Sequence, residues 1–271
     1  MKLSLITKIG IIFLGLFLTM GLLAPFLSTH DPKQTDIQHR FSSPSSAHWL
    51  GQDNLGSDIY SRILYGARIS LLIAIISTAI SFVIGLILGS IAAYWGGWFD
   101  ECLMRIVDIL LAFPGMLLIF ALAAFLPPRI YNVIIIFSVV GWTGFARVAR
   151  AQVLVEKEKD FIEAARSMGA RTLTILMRHV FPNILSPLIV QASFSMGGII
   201  IGESSLSFLG IGVPPDIPSW GNMLYAAKQS GFQPIFVAIF PGLAIMFSVL
   251  GFNFIGDGLR DFWDPKLSSH S

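Results

Sequence analysis

ISLLIAIISTAISFVIGLILGSIAAYWGGWF, from Ile69 to Phe99, runs for 31 residues without an Asp, Glu, Lys or Arg. A helix needs about 20 mainly apolar residues to cross the ~30 Å hydrocarbon layer of a bilayer, so this run alone is long enough to span one. Five more charge-free runs accompany it: Ile9 to His30, Ile109 to Pro128, Ile130 to Ala146, His179 to Gly202 and Gln229 to Gly256. All are continuous, whereas a membrane strand alternates over ~10 residues, so they predict helices and not a barrel. Ile130 to Ala146 has only 17 residues and is expected to reach across with Arg129 and Arg147 snorkelling at its ends. The fold class these runs predict is an all-α integral membrane protein with six transmembrane helices.

Composition agrees. Of 271 residues, 54% are hydrophobic, and the 18 basic and 16 acidic side chains make only 34 charges, about half the ~25% usual in soluble domains. A net charge of +2 gives nucleic acid little to bind, and the single Cys102 excludes a disulfide framework or a cysteine-built metal site. The first run follows Lys2 and Lys8 and exceeds the ~7–15 apolar residues of a signal peptide, while Pro25 after the small Ala24 makes a poor cleavage site. It is therefore read as a retained anchor. With a cytoplasmic amino terminus, twelve of the 18 basic residues fall inside and six outside, so both termini are expected in the cytoplasm. The chain then divides into an anchor helix (1–30), an extracytoplasmic loop leading into the second span (31–68), a core of five transmembrane helices (69–260) and a cytoplasmic tail (261–271). Trp49, Trp95, Trp98, Trp142, Trp220 and Trp263 all fall in loops or near span ends, as interfacial aromatics should.

Between Arg147 and Arg178 the pattern inverts, with 11 charged residues in 32 positions. A bare connection between spans needs no such density. The segment reads as a first short helix from Lys159 to Met168, ended by Gly169, whose freedom at positive φ suits a helix terminus. A second helix follows, capped by Thr172, with Leu173, Leu176, Met177 and Val180 as its apolar stripe. Pro182 is expected to stop it before the fifth span. Ala164 and Ala165 leave room for a partner backbone, and Glu163 offers a carboxylate to a basic one.

Glu163-Ala164-Ala165, three residues, Gly169, nine residues, His179, one residue, Phe181 and Pro182 resembles the EAA loop (147–182) of ATP-binding-cassette importer permeases. His179 and Phe181 stand where that pattern has Ile and Leu. Leu50-Gly51-Gln52-Asp53, Gly56, Asp58, Ser61-Arg62 and Gly66 to Leu71 is similar to the signature before the second span of the oligopeptide, dipeptide and nickel permeases, second subunit type. Ser57 stands where that signature usually has Arg. Met104-Arg105 with Val107-Asp108 and Phe113-Pro114, Glu203 with Leu206 to Gly210 and Trp220-Gly221, and Gly256 to Asp261 with Asp264-Pro265 extend the likeness from about Trp49 to Pro265.

The resemblance implies a type I importer permease fold in a bacterial cytoplasmic membrane, working by alternating access. It assigns ATPase coupling to Glu163, Ala164, Ala165, Arg166, Gly169 and Pro182. The partners it implies are a homologous permease subunit, two ATP-hydrolysing subunits and an extracytoplasmic binding protein delivering a di- or oligopeptide, or nickel or a metal chelate. ATP and Mg belong to those partners, with no cofactor bound by this chain and no enzymatic activity of its own. A phosphate-binding GxxxxGK[ST] loop needs Gly directly before Lys, and no Lys here follows a Gly.

Four further groups draw notice. Glu203, with Ser204, Ser207 and Phe208, lies near the outer end of the fifth span and is a candidate for the translocation path or gate. Arg105 and Asp108, three apart at the inner end of the third span, are expected to form a local ion pair. His30, His39 and His48 recur every nine residues, which is no ligand spacing of a single helix or hairpin, so no metal is expected there. Gly85 and Gly89 invite close helix packing. An ion-coupled secondary transporter is the competing class, but the spans carry no ionisable Asp, Glu, Lys or Arg in their middles. An intramembrane enzyme lacks a catalytic set, since Cys102 has no His near it in sequence.

Overall fold

A computed structural model describes residues 5–263, so Lys2, Asp264, Pro265 and the tail from residue 264 onward lie outside the described residues. The helices are α1 (Leu5–Leu22), α2 (Ala24–Leu27), α3 (Ile59–Trp95), α4 (Gly97–Ala112), α5 (Gly115–Phe125), α6 (Ile130–Glu156), α7 (Asp160–Ser167), α8 (Thr172–Ile175), α9 (Phe181–Phe208), α10 (Trp220–Gln229) and α11 (Phe236–Trp263). Among the described residues the nearest thing to a strand is one antiparallel bridge between Gln52 and Asp58. In a bilayer core every backbone group must be satisfied within its own segment, and the charge-free runs do this as helices.

Among the described residues, five helices are long and apolar enough to cross a membrane: α1, α3, α6, the continuous Thr172–Phe208 and α11. The expected third span is broken. Instead of one helix from Ile109 to Pro128, α4 and α5 meet at 89°. Pro114 forces Phe113 into extended backbone (φ −80°, ψ 142°), which ends α4 at Ala112. The 11 residues of α5 measure only ~16 Å, about half of the ~30 Å hydrocarbon layer. Other boundaries also shift. α3 begins at Ile59, because Asp58 Oδ2 accepts the Ser61 amide at 2.8 Å and caps it. α6 continues to Glu156, so the 17-residue run is merely the charge-free part of a 27-residue helix.

The bundle is organised around α3, which packs most extensively on α6. A Cβ on Gly85 would lie 2.4 Å from Phe145 Cβ, and one on Gly89 2.3 Å from the Ala146 carbonyl oxygen. The close packing expected of this glycine pair is present, and its partner is α6 of the same chain. Hydroxyls reinforce the contact: Ser77 Oγ donates to the Ile134 carbonyl and Ser81 Oγ to the Ser138 carbonyl, each at 3.4 Å. α1 crosses α11 at a similar approach, where a Cβ on Gly10 would stand 2.7 Å from Phe254 Cβ. Trp220 departs from its interfacial reading, since it is fully buried and donates Nε1–H to the Ile63 carbonyl at 3.2 Å. Its neighbour Gly66 makes room for the indole, 2.8 Å from where a Cβ would stand.

Gly89→Leu is expected to abolish the thermal transition of the purified protein, because overpacking a backbone contact this close exceeds the ~1–3 kcal/mol of ordinary core overpacking. Gly198→Ala, which meets nothing within 4 Å, should melt like the wild type.

Candidate functional site

The charged segment folds onto one end of the bundle as α7, a left-handed Gly169 (φ +80°) and α8. α7 is two-faced. Ile162 is fully buried and Ala165 nearly so, and both join a cluster with Val153 of α6, Ile175 of α8 and Val180. Glu163 and Ala164 on the opposite face are exposed. The loop is also tied by polar contacts. Lys159 Nζ pairs with Glu156 at the end of α6, and Lys157 Nζ donates to the Ala93 carbonyl of α3 at 3.0 Å. The side chain of Arg166 lies outside the described residues.

Three expectations for this segment need correction. Thr172 does not cap α8; Arg171 holds the cap position, without a side-chain hydrogen bond. Pro182 does not stop the second helix, because a π-helical turn over Leu176–Val180 carries α8 straight into α9. The Phe181 amide there reaches back to the Leu176 carbonyl, and the wider turn accommodates the proline just after it, whose ring would otherwise meet the carbonyl four residues back. The apolar stripe is also different: Leu176 and Val180 are buried with Ile175, but Leu173 and Met177 are 69% and 58% exposed. A π-turn holds one residue more than an α-turn, which sets Leu173 back by roughly 100° relative to α9. Phe161, Met168, Leu173 and Met177 are thus all exposed apolar side chains of the same loop that exposes Glu163.

The ion pair expected between Arg105 and Asp108 is not formed. Asp108 is bonded by Arg147 Nη2 instead, and Asp100 is clamped by Arg150 through two bonds of 2.6 Å. Both pairs join α4 to α6, the Arg150 pair as a bidentate clamp and the Arg147 pair through one bond that takes the carboxylate a local i,i+3 contact would have used.

At the opposite end, the signature before α3 builds a knot. Asp53 accepts from the Leu55 and Ser57 amides, each at 2.9 Å, and from Arg62 Nη1 at 2.7 Å. Gly56 (φ +73°) passes so close to Asp36 that a Cβ would overlap its carbonyl oxygen at 1.8 Å. His39 bonds Asp36 at 2.7 Å, and that hydrogen bond holds the Asp36 carboxyl below its ordinary range. Glu203 is fully buried nearby, accepting from Ser70 Oγ of α3 at 2.9 Å and from Ser207 Oγ at 2.8 Å. Ser204 is buried beside it, and Phe208 carries Lys228 Nζ over its ring at 4.9 Å. Glu203 and Ser207 thus face inward, where Glu203 fastens α9 to α3 and Ser207 holds the Glu203 carboxyl.

Midway along the bundle, a cavity of about 180 Å³ opens between α3, α5, α6 and α9, with Thr78, Ser81 and Ser195 supplying hydroxyls among Met116, Phe137 and Ile199. The cavity shows no sequence signature of its own; a split between hydroxyl and apolar positions within α3 is the nearest trace.

Residues 85–269 match the family described as binding-protein-dependent transport system inner membrane component. The chain is 46% identical to a glutathione transport system permease protein of Pectobacterium atrosepticum, across 95% of its own length and 86% of that protein. It is 39% identical to a dipeptide transport system permease protein of Alkalihalophilus pseudofirmus, across 99% and 88%. An inward-facing structure of the MetNI methionine ABC transporter has the same fold, with a TM-score of 0.62 at 20% identity over 75% of this chain and 97% of that one.

Arg62→Ala should lower unfolding stability by about 3–5 kcal/mol, since it leaves Asp53 charged and unpaired in a buried place. Denaturant unfolding in detergent, followed by Trp fluorescence, measures the loss.

Proposed function

Because the chain belongs to the family of binding-protein-dependent transport system inner membrane components, as a permease of an ATP-binding-cassette importer, we propose that it moves short peptides inward across a bacterial cytoplasmic membrane. Support for the solute class comes from the two relatives, which are named for glutathione and for dipeptides, both short peptides. The neutral, hydroxyl-bearing cavity between α3, α5, α6 and α9 is consistent with a solute held without a fixed charge. A homologous permease completes the path, an extracytoplasmic binding protein delivers the solute, and two partner subunits hydrolyse ATP with Mg. Both termini face those ATPases in the cytoplasm on this reading, which the excess of basic residues on that side supports.

The observation that carries the coupling role is the two-sided α7. Its exposed side, with Glu163 and Ala164, together with the exposed Phe161, Met168, Leu173 and Met177 of the same loop, is the surface an ATPase grips. Its buried side is locked by Ile162 and Ala165 to α6 and to the helix that runs on into α9. A displacement of α7 is therefore passed to two spans at once. Arg166 sits in the same helix, and Gly169 sets the angle between α7 and α8. Pro182, just beyond the π-turn, marks where the motion enters the membrane part. On this reading Glu203 acts as a latch at the other end, and opening the outer gate exchanges its Ser70 bond for another.

Gly169→Val should assemble normally and keep ATP hydrolysis while losing at least about tenfold in uptake, since a β-branched residue is strained at φ +80°. Wild-type uptake by that complex would remove the coupling role. Glu163→Lys should reduce the ATPase that co-purifies with the permease. The substrate is tested in vesicles holding the whole transporter, by uptake of a labelled dipeptide, glutathione and nickel. Accumulation of nickel alone would replace the peptide reading.

A further inference from the structure

Three ligand-bearing side chains at the outer end of the bundle take no part in the scheme above. His30, His48 and Asp58 are far apart in sequence, yet one nitrogen of each imidazole and one oxygen of Asp58 all lie within 4.8 Å of one another. His48 Nδ1 is 2.9 Å from Asp58 Oδ1, and His30 Nδ1 is 4.0 Å from the same oxygen. The two rings stack at 4.3 Å. The Asp58 side chain is fully buried, whereas His30 and His48 are 32% and 22% exposed toward a cavity of about 160 Å³ that Asp31, Gln34 and Asp36 also line.

We propose that His30 Nδ1, His48 Nδ1 and Asp58 Oδ1 bind one divalent transition-metal ion of the zinc type, with a fourth position open to water in the cavity. Two imidazoles and one carboxylate are a borderline donor set that suits Zn²⁺, Ni²⁺ or Co²⁺ and not the all-oxygen ions Mg²⁺ and Ca²⁺. Three protein ligands and one open position are a common zinc arrangement. Ligand atoms ~2.0–2.2 Å from a tetrahedral ion stand about 3.4 Å apart, so the site closes by small rotations of the two partly exposed rings. His30 Nδ1 gives up its 3.0 Å contact with Thr29 Oγ1 in doing so. Asp58 is already oriented for the task. Its Oδ2 is fixed by the Ser61 amide at 2.8 Å, an outer-shell contact that leaves Oδ1 aimed at the rings.

His39 is excluded, because it is paired with Asp36 and belongs to no such cluster. The regular nine-residue recurrence in the sequence is thus coincidental, while the fold selects two of its three members. A bound ion would join the start of the 28–58 segment and its middle to the first turn of α3, closing it into a rigid collar around the outer end of the bundle. This holds whichever solute the transporter carries, so its test is separate from the uptake experiments.

The complete, tag-free chain in nanodiscs is stripped with a chelator and titrated with Co²⁺, then with Zn²⁺. The expected result is one equivalent of Co²⁺ with the visible absorption of a four-coordinate site, displaced by Zn²⁺, and a metal-dependent rise in melting temperature. His30→Ala and His48→Ala should each weaken binding at least about tenfold and abolish that rise, while His39→Ala behaves as the wild type. Two separate ligand variants guard against one that fails to fold, and apo melting checks both. Absence of a four-coordinate Co²⁺ spectrum from the folded wild type, or equal affinity in the His48→Ala and His39→Ala proteins, overturns the site.

Discussion

The contact between α3 and α6 at Gly85 and Gly89 is the constraint on which the rest of the bundle depends. Inside lipid no hydrophobic force draws one apolar helix to another, so association rests on close van der Waals approach and on hydrogen bonds between helices. Gly85 and Gly89 bring the α3 backbone against Phe145 and Ala146, and serine hydroxyls cross the same seam. With α6 fixed in this way, Arg147 and Arg150 are positioned to collect Asp108 and Asp100 from α4. The end of α6 then delivers Lys157 to the Ala93 carbonyl and Ile162 of α7 to its buried cluster. The geometry of the charged loop is thus inherited from two glycines in the membrane part.

The two ends of the bundle are built on different physics. At the α7 end, ion pairs are partly solvated and join separate helices, an arrangement that tolerates small displacements. At the other end the carboxyl groups are buried and hydrogen-bonded: Asp53 to Arg62 and two amides, Glu203 to two hydroxyls. Breaking a buried charged contact is costly because the remaining group has no solvent to turn to. On the proposed reading this difference separates an actuated end from one that holds until driven.

Much of the architecture was legible because the bilayer enforces it. Charge-free runs have to be helices, and Gly85 and Gly89 have to be contacts for a close neighbour. The two-helix character of the charged loop and the left-handed Gly169 also follow from local chemistry. Features that depend on a partner helix were not legible. Spacing favours Arg105 for Asp108, but a guanidinium across the α4–α6 seam makes the pair. Trp220 reads as an interfacial aromatic until Gly66 on α3 is seen to open a slot for it. Pro114 advertises a kink, though not an 89° break, since the angle is set by what α5 packs on. His30 and His48 meet through a long irregular segment, which no periodicity describes.

The π-turn at Leu176–Val180 has a consequence for how such a chain changes over generations. One extra residue stored in a widened turn rotates the α8 face relative to α9 without altering the packing of Ile184 and Leu188 beyond it. The register of the surface offered to a partner is therefore set independently of the register that the membrane helices require. Lineages can retune the first by gaining or losing a residue in that turn while the second stays as it is, which lets a permease and its motor drift together without rebuilding the bundle.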